Sequence, residues 1–389
     1  MSLTGENQPI RVLQSVGAMN HGGIEHFVMN VYRKIDRDLV QFDFVERVND
    51  RCVFDDEIES FGGRIYRFQS PDKHPISSMH FYRELFRAHP EWRIVHEHRS
   101  TLAGFLGCLR AASYEHVTTR VMHAHSSTLS KWYGGVGNAV ERITDKRNKK
   151  KIGKIATDYF ACSDVAAQWL FPPESSISDK VRIIPNGIDA SRFSFSIDDR
   201  AEIRALYGIP ENAFVIGHVG RFSLEKNHEY LLNVLRDLPG EMDGRLLLVG
   251  DGPLRDEIEK KAIVLGLRER VTFAGLQPET WKFYSAMDAF CMPSVHEGLP
   301  LSAVEAQASG LPLLLSENVS RDTDLGGAAM FLPIDMGSGA WVEGLMNCRK
   351  DVDERLCGVK LVVDAGFDIV ATAKELQAFY LRAVGEMRK

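Results

Sequence analysis

The chain lacks any apolar run that approaches the roughly 20 residues of a bilayer-spanning helix. It also lacks a CxxC pair, and its six cysteines are scattered: Cys52, Cys108, Cys162, Cys291, Cys348 and Cys357. We therefore expect neither a zinc site nor a disulfide framework and interpret the cysteines as reduced, buried residues. No apolar signal segment follows Met1, so a cytoplasmic location is expected.

An overall excess of basic residues is absent too. The formal net charge is -6, which argues against a nucleic-acid partner because phosphate backbones bind basic surfaces. Between Lys131 and Lys154, however, the sequence contains eight Lys or Arg and only two acidic residues. The densest part, residues 146–151, follows Trp132 and Tyr133. This basic run, 146–154, is either a solvated helix surface or a peripheral contact with anionic lipid at the inner face of the membrane.

The 389 residues, 44% hydrophobic and 26% charged, are typical of a soluble protein with two large domains. Short Val/Ile/Leu-rich runs alternate with helical patterns, which predicts strands buried on both faces in two doubly wound parallel sheets. Twelve strands are predicted, at residues 10–16, 40–45, 93–97, 120–125, 159–163, 181–185, 214–219, 245–250, 271–275, 289–293, 311–316 and 330–333.

The domain boundary is predicted near Asn186-Gly187-Ile188-Asp189, because the next stretch is polar and a new βαβ series starts at Phe214. This gives one domain over residues 1–188 and a second over residues 189–369. A last amphipathic helix, about residues 370–389, packs on the second domain or returns to the first.

The most informative segment is Glu297-Gly298-Leu299-Pro300-Leu301-Ser302-Ala303-Val304-Glu305, between a predicted strand and a helix. A strand end followed by a helix N-terminus presents free N–H groups and a positive dipole end to a phosphate. Carboxylates repel that anion, so Glu297 and Glu305 are expected to accept hydrogen bonds from sugar hydroxyls. The inferred ligand is a nucleotide-diphosphate sugar.

Two further strand ends carry candidate binding residues. After the strand that ends at Val219, Arg221 and Lys226 are expected to converge on one anion, unless they are ordinary solvated charges. After the first strand, Gly22 and Gly23 allow close approach of a substrate to the backbone, unless they form only a tight turn. The strict GxGxxG dinucleotide fingerprint is absent.

Histidines gather at two strand ends, as His96-Glu97-His98 and His123-Ala124-His125. An HxH pair can bind a metal, but no further ligand set has the expected spacing, so a metal-free interpretation is preferred. One of these histidines is expected to orient a sugar hydroxyl or to share charge near the reacting carbon.

Together these motifs resemble the retaining glycosyltransferases of family 4, which have the GT-B fold. The resemblance rests on five motifs and on their order along the chain: PNGID, GRFSLEKNH around Arg221 and Lys226, VGDGP, FAG and EGLPLSAVE. It extends from about Val12 to Leu381. Residues 156–171 and the HAHSS segment at residues 123–127 resemble a bacterial subgroup of capsular or exopolysaccharide assembly.

The resemblance implies two Rossmann-like domains that face each other across a cleft, with the last helix returning to the first domain. It implies that Glu305 holds the ribose and Glu297 the donor sugar. Arg221 and Lys226 match the phosphate-binding pair, and His125 matches the cleft histidine, with His123 as the alternative. The implied donor-binding set is Gly22, Gly23, Gly298, Leu299, Pro300, Leu301, Ser302 and Glu305.

The expected reaction is metal-independent transfer of a hexose from a UDP-sugar, or from a GDP-sugar, to a hydroxyl of a cell-surface glycan that is lipid-linked or free. No cofactor is expected beyond the nucleotide sugar as co-substrate. The same fold also suits a nucleotide-sugar epimerase, a phosphorylase with pyridoxal phosphate, and a noncatalytic subunit that binds nucleotide sugar for a partner transferase.

Overall fold

The structure, a computed structural model, describes residues 8–20, 22–69, 74–102, 106–125, 136–171, 177–348 and 350–385, with no side-chain description for 136–141. Contacts between Cα atoms divide the chain into two compact units. Unit 1 comprises residues 1–187 and 369–389, and unit 2 comprises residues 188–368. Within the described ranges, no helix has both the length and the apolar character needed to cross a bilayer.

Unit 1 contains a seven-stranded sheet in which every strand pairing is parallel. Its strands are β1 (Ile10–Val16), β2 (Val40–Glu46), β3 (Ile65–Arg67), β4 (Ile94–Arg99), β5 (Thr119–Ala124), β6 (Asp158–Ala161) and β7 (Val181–Ile183). The spatial order is β3-β2-β1-β4-β5-β6-β7, so the order reverses between β1 and β4. In open α/β sheets, ligands bind outside the carboxyl ends of the strands at such a point.

Helices cover this sheet and close its core. They are α1 (Gly23–Lys34), α2 (Asp55–Ser60), α3 (Pro75–Ala88), α4 (Gly107–Tyr114), α5 (Val136–Lys151), α6 (Asp164–Leu170) and, after the whole of unit 2, the C-terminal helix Ile369–Gly385. The C-terminal helix buries Ile369, Leu376 and Tyr380 in the same apolar cluster as Phe27 of α1 and Val12 of β1. Burial of this apolar stripe explains why the last helix belongs to unit 1.

Unit 2 has the same architecture, with a sheet of six parallel strands in the order β10-β9-β8-β11-β12-β13. The strands are β8 (Phe214–Val219), β9 (Gly244–Val249), β10 (Val271–Gly275), β11 (Ala289–Met292), β12 (Leu313–Ser316) and β13 (Met330–Leu332). The helices are α7 (Ile197–Leu206), α8 (His228–Asp237), α9 (Arg255–Val264), α10 (Thr280–Ala286), α11 (Leu301–Ala308), α12 (Gly339–Asn347), α13 (Val352–Leu356) and α14 (Gly358–Asp364), so that the C-terminal helix is α15. Here the order reverses between β8 and β11.

All twelve predicted strands are present, with ends that differ by at most two residues. The prediction of two doubly wound parallel sheets is therefore confirmed. Two details were wrong. Strand β3 (Ile65–Arg67) was not predicted, and Cys357 is exposed whereas the other five cysteines are buried. All six cysteines are unbridged.

Candidate functional site

The loops after β8 and β9 lie in direct backbone contact at the carboxyl edge of the unit 2 sheet. Gly220 N–H donates to the Val249 carbonyl over 3.0 Å. A Cβ atom on Gly250, whose φ is +134°, would lie 2.1 Å from the Gly220 carbonyl oxygen, and one on Gly252 (φ +157°) would lie 2.6 Å from that of Phe222. The glycines of the VGDGP motif are therefore required by the packing of this edge.

The loops after β8 and β11 are joined as well. Val295 N–H donates to the Glu225 carbonyl over 2.8 Å, and the side-chain amide of Asn227 donates to the Pro293 carbonyl over 3.2 Å. Asn227 takes the left-handed conformation (φ +53°), which asparagine tolerates better than most residues. These contacts lie at the point where the strand order of unit 2 reverses.

Lys226 and Glu297 meet across these two loops. The Lys226 Nζ atom lies 2.7 Å from Glu297 Oε1, and each side chain is about one-fifth exposed, at 18% and 20%. The two residues are 71 positions apart in the sequence, and the structure brings them into one ion pair. A ligand that carries both an anion and hydroxyl groups can replace each partner of this pair, because phosphate pairs with the ammonium and hydroxyls donate to the carboxylate.

Arg221 is exposed at the start of the same loop and forms no ion pair within the described part of the chain. The convergence of Arg221 and Lys226 on one anion stays a prediction, and in the structure Lys226 pairs with Glu297. Arg221 keeps its guanidinium in solvent, where it can meet an incoming anion.

Two buried histidines that sequence reasoning did not select lie beside Lys226. His218 Nδ1 lies 2.8 Å from the Cys291 carbonyl oxygen, and the ring of His228 stacks on Phe222 with 4.1 Å between ring centroids. Burial, and secondarily the nearby Lys226 charge, lowers the pKa of His218 to about 4. Burial likewise lowers the pKa of His228 to about 2. Both rings are therefore neutral near pH 7 and add no charge to the site.

Helix α11 begins at Leu301, with Pro300 as its N-cap residue and Gly298 and Leu299 in the half-buried turn before it. The first N–H groups of a helix lack intrahelical acceptors, so the amides of Leu301 and Ser302 mark the positive end of the helix dipole. A helix therefore starts where the sequence predicted one, and phosphate binding at this turn stays a prediction.

Glu305 lies one turn further along α11 and is half-buried. Its Oε2 atom accepts a hydrogen bond of 2.6 Å from the hydroxyl of Tyr284, which sequence reasoning also missed. Burial raises the pKa of Glu305 to about 7, and the Tyr284 hydrogen bond opposes that shift. The two predicted carboxylates therefore differ, because Glu297 is paired with a cation and Glu305 with a neutral hydroxyl.

In unit 1, four histidines stack at the ends of β4 and β5. His96 and His98 lie 4.2 Å apart between ring centroids, and His123 and His125 lie 4.1 Å apart. His98 Nδ1 is 2.8 Å from His125 Nε2, and His96 Nε2 is 3.1 Å from His123 Nδ1. Burial lowers the pKa of His125 to about 3 and those of the other three far below the usual value. All four rings are therefore neutral near pH 7 in this structure.

The structure distinguishes His125 from His123. His123 is completely buried, whereas His125, directly after β5, is only partly buried and is the member of the stack nearest to solvent. Ser126 and Ser127 of the HAHSS segment, and Trp132 and Tyr133 before the basic run, lie outside the described residues.

The Gly22 and Gly23 turn opens α1, as predicted. A Cβ atom on Gly22 would lie 2.2 Å from Glu25 Oε2, while one on Gly23 would meet nothing within 4 Å. A side chain at Gly22 would therefore displace the Glu25 carboxylate, which is the end of a flexible side chain. This carboxylate lies where an anion was expected, so the turn offers a phosphate less attraction than the sequence indicated.

Among the described residues, two side-chain groups bring possible metal ligands within 4.8 Å of one another: His96, His98 and His123, and Glu46, Cys52 and Asp55. The sequence interpretation had recognised no third ligand near the HxH pairs, and the first group supplies one. Five of its six ring nitrogens, however, lie within hydrogen-bonding distance of neighbouring side chains, and the sixth, His123 Nε2, is buried without a hydrogen-bond partner among the described residues. In the second group, Arg67 already pairs with both carboxylates.

The chain matches two family models, "Glycosyltransferase Family 4" over residues 21–192 and "Glycosyl transferases group 1" over residues 199–321. It is 36% identical to EpsF of Bacillus subtilis (strain 168), which is named as a glycosyltransferase, over 86% of each chain. It is 28% identical over 53% of its length to an Escherichia coli protein, UDP-Gal:alpha-D-GlcNAc-diphosphoundecaprenol alpha-1,3-galactosyltransferase, of which 55% is covered. Among solved structures, HepE of Anabaena in complex with UDP superimposes with a TM-score of 0.73 at 18% identity, covering 96% of this chain and 99% of that one.

The two parallel sheets and these matches define a glycosyltransferase with the GT-B fold. Both the expected class and the expected fold are thereby confirmed. More particularly, the chain belongs to the family 4 glycosyltransferases.

Proposed function

We propose that this glycosyltransferase is a retaining enzyme that moves a hexose from a UDP-sugar to a hydroxyl of a growing, lipid-linked glycan of capsular or exopolysaccharide type. The observation that carries the proposal is the Lys226–Glu297 ion pair beside the start of α11, with Glu305 one turn further on. The UDP complex of HepE and the diphosphoundecaprenol substrate in the name of the Escherichia coli relative support the donor and acceptor classes.

In the proposed donor complex, the ion pair between Lys226 and Glu297 opens. Lys226 then pairs with the diphosphate, and Glu297 accepts hydrogen bonds from hydroxyls of the sugar. Glu305, which is held by Tyr284, accepts hydrogen bonds from the ribose hydroxyls. The backbone from Gly298 to Ser302 contacts the diphosphate and sugar. Arg221 supplies a second positive charge from its exposed position. For unit 1, we propose that His125 and the Gly22–Gly23 turn contact the substrates.

The proposed chemistry is a front-face displacement. The bond between the anomeric carbon and the diphosphate oxygen breaks, and the acceptor oxygen bonds to the same face of that carbon. The acceptor proton passes to the departing diphosphate, whose charge is stabilised by Arg221, Lys226 and the α11 N-terminus. These groups stabilise the negative charge of the departing diphosphate without a metal. We propose no cofactor beyond the nucleotide sugar.

The experiment incubates the protein with UDP-hexoses and an undecaprenyl-diphosphate-linked monosaccharide, and determines the product anomer by NMR. We expect an anomer identical to that of the donor and turnover that survives chelation. Glu297→Gln and Lys226→Met should each lower turnover by about 10²- to 10³-fold, as expected for loss of one group that stabilises developing charge. The control is Lys282→Met, which removes a lysine that pairs with Glu202 on the surface.

An inverted product would contradict retention, and wild-type turnover in Glu297→Gln would contradict the role of that residue. Chelation that abolishes turnover, with recovery on adding a divalent ion, would contradict the metal-free mechanism. Isomerised UDP-hexose in the absence of acceptor would instead indicate an epimerase. Turnover that appears only after addition of a partner protein would indicate a noncatalytic subunit.

A further inference from the structure

The imidazole ring of His218 is held between other rings inside unit 2, near the end of β8 and just before the loop that carries Lys226. Its side chain is completely buried. It stacks on Phe290 with 6.0 Å between ring centroids, and the ring of His228 meets it edge-on at 4.8 Å. These neighbours restrict the imidazole to one orientation.

A hydrogen bond to the backbone determines which nitrogen of His218 carries the proton. The Nδ1 atom lies 2.8 Å from the Cys291 carbonyl oxygen, and a carbonyl oxygen can only accept. Burial, and secondarily the charge of Lys226, lowers the pKa of His218 to about 4, so the ring is neutral near pH 7 and carries a single N–H. The proton is therefore on Nδ1, and Nε2 presents a lone pair.

This lone pair has no partner in the ligand-free structure. Among the residues that the structure describes, no hydrogen-bond donor reaches His218 Nε2, although the atom is buried. A buried acceptor without a partner is unfavourable, because it has lost its bond to water and has formed no bond in exchange. A nearby donor that can change partners would satisfy it.

Lys226 is such a donor. A Cβ atom placed on Gly220 would lie 3.0 Å from His218 Nε2 and 3.4 Å from Cε of Lys226, so both atoms border the same point beside the Gly220 backbone. The lysine stem thus lies close to the lone pair, while the ammonium pairs with Glu297 Oε1 over 2.7 Å. Because the lysine stem is flexible, rotation about its last bonds can bring Nζ to His218 when the ion pair opens.

We propose that His218 is a positioning residue for Lys226, and that its Nε2 atom accepts a hydrogen bond from the ammonium once the ion pair with Glu297 opens. The ammonium has three N–H groups, so one can be held by His218 while the others meet the diphosphate. A neutral acceptor fixes the direction of the ammonium and leaves its positive charge for the anion. This inference rests on the proposed function for the ligand that opens the ion pair, but not for the acceptor that receives Lys226.

The contact is measured by ¹⁵N NMR on the full chain labelled at histidine, with the His218 signals assigned by their loss in His218→Asn or His218→Gln. In the ligand-free wild type we expect a protonated Nδ1 and an unprotonated Nε2. Glu297→Ala releases Lys226 without any ligand and should shift the Nε2 signal towards that of a hydrogen-bonded acceptor. The matched control is the double variant Glu297→Ala with Lys226→Met, in which this shift should be absent. Saturating UDP should cause the same shift in the wild type.

His218→Asn separates positioning from folding. The asparagine amide can still donate to the Cys291 carbonyl but offers no acceptor at the place of Nε2, so the protein should keep a cooperative thermal unfolding transition. We expect kcat with a UDP-hexose to fall about 10- to 100-fold, as when a catalytic group is misplaced by about 1 Å, with a smaller change in KM. An unchanged kcat in the folded variant would overturn the positioning role.

A wild-type His218 protonated at Nε2, an unchanged Nε2 signal in Glu297→Ala, or a shift that persists in the double variant would also overturn the proposal. So would a shift confined to His228, whose two ring nitrogens are likewise buried without partners in the described part of the chain. None of these results depends on catalysis. UDP that binds without shifting Nε2, although Glu297→Ala shows the shift, would contradict the exchange of partners in the proposed function alone.

Discussion

The hydroxyl of Tyr284 donates a 2.6 Å hydrogen bond to Oε2 of Glu305, and this neutral donor holds the half-buried carboxyl group in the second turn of α11. The pairing differs from that of Glu297, which faces an ammonium. A carboxyl group held by a neutral hydroxyl in a buried place can change its protonation state near pH 7. The segment thus combines one carboxylate that is paired with a lysine side chain and one carboxyl group that titrates near pH 7.

We therefore expect UDP to bind more tightly as the pH rises through 7. Burial raises the pKa of Glu305 to about 7, and only the ionised carboxylate accepts hydrogen bonds at both oxygens. Calorimetric titration with UDP between pH 6 and pH 8 measures the effect, which should reach several-fold. Glu305→Gln should bind more weakly and lose this pH dependence. An equally steep dependence in Glu305→Gln would assign the titration to another group.

A second pH effect concerns the stability of unit 1. Burial raises the pKa of Glu46 to about 7, and the neighbouring Asp55 carboxylate adds to the shift while Arg67 opposes it. Because the folded-state pKa lies above the unfolded value, the stabilisation is complete below about pH 4.5 and is lost as the pH rises through 7. Glu46→Gln removes the ionisation and should gain about 2 kcal/mol relative to wild type between pH 5 and pH 8.

Urea unfolding at the two pH values measures this gain. Glu59→Gln, at an exposed position of helix α2, is the matched control for the loss of a carboxylate and should change the stability much less. A constant difference between wild type and Glu46→Gln would show that Glu46 is not the titrating group.

The strands could be predicted because parallel strands buried on both faces are continuous apolar runs. Leu246 to Val249 of β9 is an example, with four nearly inaccessible residues in succession. Strand β3 was missed because it has three residues, all only partly buried, and no run to recognise. The division of the chain followed from Asn186 and Gly187, where a turn signal meets a change in composition.

The candidate site could be predicted only where it is local in sequence. Glu297 and Glu305 share one segment, but Tyr284 lies on the preceding helix and Lys226 lies 71 residues before its partner. His98 and Asn186 reach His125 from 27 and 61 residues away. No periodicity links such positions, because their contact is created by the order of the strands in the sheet.

The contact between the β8 and β9 loops should make Gly250 intolerant of a side chain. A Cβ atom there would lie 2.1 Å from the Gly220 carbonyl oxygen, and the φ of +134° is strained for any other residue. Gly250→Ala should cost about 2–4 kcal/mol of stability from backbone strain and overpacking. It should also weaken UDP binding, because it displaces the loop that carries Lys226. Thermal unfolding with and without UDP measures both effects.

Gly240→Ala is the control in the same unit, because a Cβ atom at Gly240 would meet nothing within 4 Å and its φ is unstrained. Equal stability of the Gly250→Ala and Gly240→Ala proteins would show that the loops after β8 and β9 are able to separate at little cost.

The exposed basic side chains of α5 predict binding to anionic membranes. Lys146, Arg147, Lys150 and Lys151 are exposed at its C-terminal end, and Lys154 follows just beyond it. Asp145 is buried and pairs with Lys149 over 2.9 Å, so it does not offset the exposed charges. Each basic residue near an anionic surface contributes about 1 kcal/mol. Sedimentation with phosphatidylglycerol vesicles should therefore capture the protein at low salt, whereas phosphatidylcholine vesicles should not.

Reversing the charge of two of these residues tests whether the α5 surface itself contacts the membrane or whether the net charge of the protein governs the attraction. Lys146→Glu with Lys150→Glu should reduce vesicle binding by more than tenfold, since each reversal replaces an attraction of about 1 kcal/mol by a repulsion. Lys260→Glu with Lys374→Glu changes the net charge equally at exposed positions on α9 and α15 and should leave most of the binding intact. Equal losses in the two double variants would mean that net charge, and not the surface of α5, governs the attraction. Because the two double variants carry the same total charge, only the position of the reversed residues can separate them.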